Sequence, residues 1–129
     1  MRVLRRVDLG RRQELLRQLD LYLKRLVERL QPQAVVLFGS FAREDVHEGS
    51  DIDLLVVAPF QEPFLERIGR LLELGADLGL PLEPVGYRPE EVEAMWRSGN
   101  RFLQAAVRTG RLLYGSWTGA VTAHGPQGQ

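Results

Sequence analysis

Two short apolar runs, Ala34-Val35-Val36-Leu37-Phe38 and Leu54-Leu55-Val56-Val57, set the frame for everything else in this chain. Both are rich in β-branched residues and bounded by Gly, Ser and Asp, the pattern of short buried strands. Between them stand Gly39-Ser40-Phe41-Ala42-Arg43 and Gly49-Ser50-Asp51-Ile52-Asp53. Side chains alternate along a strand, so Asp51 and Asp53 project to one side while Ile52 enters the core. Two neighbouring acids at a strand start repel unless a cation neutralises them. Oxygen-only ligands of this kind suit Mg²⁺, which is held by one or two carboxylates together with substrate phosphates.

The flanking sequence supplies helices. Leu16, Leu19, Leu23, Leu26, Val27 and Leu30 recur at helical spacing, predicting an amphipathic helix over 11–30, with Gly10 as a break before it and Pro32 as its end. A short helix is expected over 40–44, then a polar loop over 45–50. A second amphipathic helix spans about 62–78, with Phe64, Leu65, Ile68, Leu71, Leu72 and Leu78 on one side. A third strand follows near 82–87. Arg88-Pro89-Glu90-Glu91 opens another helix, with proline in its first turn and acids at the positive end of the dipole. That helix breaks at Ser98-Gly99-Asn100 and is capped at Thr109-Gly110, before a short strand at 111–114. The order implies an α/β (α+β) fold, a small sheet with helices on one or both faces. Residues 1–115 form one domain, and the Gly-rich stretch 116–129 reads as a flexible tail.

Composition narrows the functional classes. In 129 residues, 17 basic side chains balance 17 acidic ones, so there is no net field to attract nucleic acid. Cysteine is absent, which excludes disulfides and thiolate metal sites. No apolar run approaches the roughly 18 residues of a spanning helix. Arg11-Arg12-Gln13-Glu14 also falls where a signal peptide needs its apolar stretch, so a cytoplasmic protein without membrane contact is expected.

Each candidate residue has a plainer alternative. Gly39 allows close backbone approach to a ligand, and the helix start after it offers N–H groups to an anion. Ser40 can donate to a phosphate oxygen or simply cap the helix. Arg43 can pair with phosphate or with Glu44, Asp45 or Asp51. Ser50 joins the phosphate side or caps the turn before Asp51. His47 fits a solvated loop, and Trp96 and Phe102 continue a core or interface stripe. Tyr87 and Tyr114 can stack on a base or pack in the core.

Gly-Ser, an Arg three residues on, ten residues to the first Asp, then Asp-x-Asp together resemble the DNA polymerase beta-like nucleotidyltransferase superfamily, and by size its minimal subgroup. The resemblance covers about residues 11–115. It implies a small mixed sheet with helices largely on one face. It further implies transfer of a nucleoside monophosphate from a triphosphate, ATP by expectation, to a hydroxyl, with one or two Mg²⁺ at Asp51 and Asp53. Catalysing members carry a third carboxylate on a later strand; the position here is Glu83, in place of the commoner Asp and followed by Pro84, with Glu90 and Glu91 as rivals. The subgroup implies an antitoxin acting on a HEPN-type helical partner; separately, an exposed apolar side on the first or last helix would suit a homo-oligomer. A module that covers its partner with little or no turnover is the alternative.

Overall fold

The computed structural model describes residues 2–39, 51–117, 119 and 121, with side chains from residue 13 onward. Among them, a long helix α1 (Arg2–Leu30) precedes β1 (Ala34–Phe38) and β2 (Ile52–Val57). Helix α2 (Phe64–Leu74) and a 3₁₀ turn (Ala76–Leu78) lead to β3 (Leu82–Tyr87). Helices α3 (Pro89–Arg97) and α4 (Arg101–Thr109) then precede β4 (Arg111–Gly115). The expected helix at 40–44 lies outside the described residues.

The four strands form one mixed sheet in the order β3-β2-β1-β4. Strand β1 runs antiparallel to both β2 and β4, whereas β2 and β3 are parallel. A parallel pair needs a long crossover, and α2 supplies it. Strands β1 and β2 are buried on both faces, so each face needs a cover. One face carries Val35, Leu37, Ile52, Leu54 and Val56, packed with Leu19, Tyr22 and Leu26 of α1 and Leu71 of α2. The other carries Ala34, Val36, Leu55 and Val57 beneath Val92 of α3 and Leu103 and Ala106 of α4. Helices therefore cover both faces, instead of gathering largely on one.

Helix α1 runs through Gly10, where a break is expected from the sequence. Interior glycine costs roughly 1 kcal/mol relative to alanine, too little to stop a helix this long. Gln31, at φ 49°, ends it ahead of Pro32. The break between α3 and α4 falls where expected: Gly99 sits at φ 77° and the Asn100 side chain accepts from Leu103 N–H. Past β4, where the sequence reads as a tail, Trp117 packs against the α3–α4 face and Val121 is buried within it. No described helix is long and apolar enough to cross a membrane.

Candidate functional site

Strand register gathers the acids at one end of the sheet. Asp53 lies opposite Phe38 in antiparallel pairing and beside Glu83 in parallel pairing. Registered neighbours share a face, so Phe38, Asp53 and Glu83 form one row, with strands about 4.8 Å apart. Alternation places Asp51 on the same side, just before β2. A hydrogen bond from Ile52 N–H to the Pro81 carbonyl, 2.7 Å, ties this strand start to the chain entering β3. All three acids thus belong to the α3–α4 side. Asp51 and Glu83 are exposed and Asp53 is half-buried. Glu83 opens an edge strand, and Pro84 after it occupies the kind of position where a missing N–H is tolerated.

Gly39 completes the row from the β1 side. It follows Phe38 at φ 74°, a left-handed conformation. A Cβ built there would collide with Asp53 Oδ2 and lie 3.0 Å from Asp53 Cγ. The Asp53 carboxylate therefore rests directly against the Gly39 backbone. Only glycine leaves room for it.

The donor chemistry is of the kind a hard divalent cation takes, with carboxylate oxygens and clustered negative charge. Asp53 in β2 and Asp51 just before it lie to the same side; Glu83 joins Asp53 through register. Among the described residues, no group of three or more His, Cys, Asp or Glu side chains is placed to hold a metal ion. Ser40, Arg43, Ser50 and His47 lie outside the described residues.

Glu90 and Glu91, the rival third carboxylates, belong to α3. Glu91 is committed elsewhere: its Oε1 and Oε2 accept from Arg67 Nη1 and Nη2 at 2.8 and 3.1 Å, and Oε1 accepts from Arg88 N–H at 2.8 Å. The Arg67 hydrogen bond holds the Glu91 carboxyl below its ordinary range, against an opposing effect of burial. Arg67 itself is buried, its Nε bonded to the Glu62 carbonyl, its Nη1 to the Gly86 carbonyl, and its guanidinium 5.5 Å from the Phe60 ring centre. Sequence reading missed this arginine. It lies one helical turn before Leu71 on the inward side of α2, and a stripe drawn from apolar residues alone passes over it.

A chain of aromatic rings runs from the acid row at Phe38 toward Tyr87 and α2. Phe102, second residue of α4, meets Phe38 edge-on at 5.2 Å between ring centres and Tyr87 at 6.5 Å. Tyr87 in turn meets Phe64 at 5.3 Å.

Residues 19–94, more than half of the chain, match the family model described as a nucleotidyltransferase domain. Two solved structures are similar. One, a crystal structure of a toxin-antitoxin with AMP-PNP, is 27% identical, with TM-score 0.53, over 73% of this chain and 70% of that one. The other, a tyrosine-to-alanine mutant of the toxin-antitoxin MntA-HpeT, is 25% identical, with TM-score 0.52, over 78% of this chain and 77% of that one. No curated protein matches the chain in sequence.

Proposed function

The chain belongs to the nucleotidyltransferase domain family, and from that premise we propose that it transfers a nucleoside monophosphate from ATP to a hydroxyl of a partner protein, as the antitoxin of a toxin–antitoxin pair. The observation that carries the reading is the row in which Asp53 stands beside Glu83 and against Gly39. The AMP-PNP and toxin–antitoxin descriptions of its structural neighbours support the nucleotide and the partner. A HEPN-type helical toxin is the acceptor we favour, and the cytoplasm the setting.

Asp51 and Asp53 would hold one or two Mg²⁺, with Glu83 as the third ligand. Bound there, Mg²⁺ supplies charge neutralisation for the polyphosphate. Gly39, Ser40, Arg43 and Ser50 would contact the phosphates. The acceptor oxygen attacks the α-phosphorus, the bond to the β-phosphate oxygen breaks, and pyrophosphate leaves. Glu83 lowers the barrier to removing the hydroxyl proton, and positioning supplies much of the remaining acceleration.

A second reading, a module that neutralises its partner by binding with little turnover, draws support from Glu83 being exposed on an edge strand. Incubation with α-labelled ATP, Mg²⁺ and a candidate toxin separates the two. Under the enzyme reading the toxin becomes labelled and Glu83→Gln lowers the rate by about 100-fold or more, the usual scale for losing a proton-transfer group. A stable complex with no label in either protein would support the binding module instead.

A further inference from the structure

Resting on the nucleotide reading above, we infer that Phe102 is the platform on which the base of the bound nucleotide stacks. Its position follows from two ring contacts. Phe38 marks the row of Asp53 and Glu83, and Tyr87 is register partner to Val57, four residues further along the same face. Phe102 touches both rings, so it spans the ground between the acid row and the interior of the α3–α4 side.

The ring is poised for a ligand. Phe38 meets it at 81° between planes, a T-shaped contact that fixes the tilt of the ring against the acid row. Phe102 keeps 36% of its surface exposed, although Leu103 beside it is fully buried. A partly exposed aromatic ring beside the row of Gly39, Asp53 and Glu83 would match the three parts of a nucleotide. Phosphates lie against Gly39, the cation lies at the aspartates, and the base lies flat on Phe102. Asn100, capping α4 through the Leu103 N–H at 2.9 Å, fixes the turn that presents the ring. Stacking uses a π-face that every base possesses and therefore binds without reading base identity.

The test measures calorimetric affinity for MgATP and for magnesium tripolyphosphate in wild type, Phe102→Ala and Phe102→Trp, with melting curves as a check on folding. Phe102→Ala should weaken MgATP on the order of tenfold and leave tripolyphosphate unchanged, while Phe102→Trp keeps MgATP affinity. Equal loss for both ligands would overturn the inference, because the ring would then merely support the acid row. Unchanged MgATP affinity in Phe102→Ala would overturn it as well. A wild type that binds neither ligand removes the nucleotide reading and the platform together, so the two failures are distinguishable.

Discussion

Gly39 shows how much a single residue decides here. Its left-handed φ alone costs an alanine roughly 1 kcal/mol or more, and the added methyl would also displace the Asp53 carboxylate. Gly39→Ala should therefore abolish detectable MgATP binding while lowering stability by only about 1–2 kcal/mol, read by calorimetry beside a thermal melt. Retained affinity would mean that the carboxylate does not need that place. The Gly-Ser and Asp-x-Asp spacing made this neighbourhood legible, because a turn between two strands must return the second beside the first. Phe102 was harder. Its place in an apolar stripe announces burial, and only the T-shaped contact with Phe38 shows where the ring lies.

Helix α2 illustrates what periodicity cannot resolve. Its apolar residues suggested one inward stripe, yet Leu65 is 76% exposed, Leu72 is 43% exposed and Arg67 is buried. Two stripes about 100° apart both contain leucines, and the sheet selected the one through Arg67 and Leu71. The arginine is tolerated because Glu91, two carbonyls and the Phe60 ring answer its charge. Glu91→Gln should destabilise the fold at neutral pH by about 2 kcal/mol, less than the ~3–5 kcal/mol of a fully buried pair, since Glu91 is 32% exposed. Its carboxyl binds the proton less tightly when folded than when unfolded. The stabilisation is therefore complete above the unfolded carboxyl pKa and disappears as pH falls through the lower folded value. Denaturation of wild type and variant across that range should show the gap closing on acidification. A gap independent of pH would show that packing, not charge, is at stake.

At the scale of the whole molecule, the sheet explains why the site is an end and not a cleft between domains. A parallel β2–β3 pair brings two strand starts together, and each contributes an acid to the same row. Among the described residues the element order was readable from the sequence, and β1, β3 and the α3–α4 break fall where patterning places them. Which face each helix covers was not readable, because strands apolar at nearly every position carry no mark of sidedness. The same limit hid Trp117 and Val121: a Gly-rich composition suggests a loose tail, but among the described residues of that stretch Val121 is buried under α3 and α4. Removing residues 116–129 should uncover that face and lower stability by about 2 kcal/mol or more, the scale of one fully buried valine. A melting temperature unaffected by the truncation would contradict that packing.

Metal-dependent nucleotide binding at the aspartates is tested by MgATP titration of the wild-type protein and of Asp51→Ala plus Asp53→Ala, each with and without Mg²⁺. Wild type should bind in a Mg²⁺-dependent way, and the double variant should not bind at all despite the same melting curve. Equal affinity in both proteins, or binding indifferent to Mg²⁺, would contradict it.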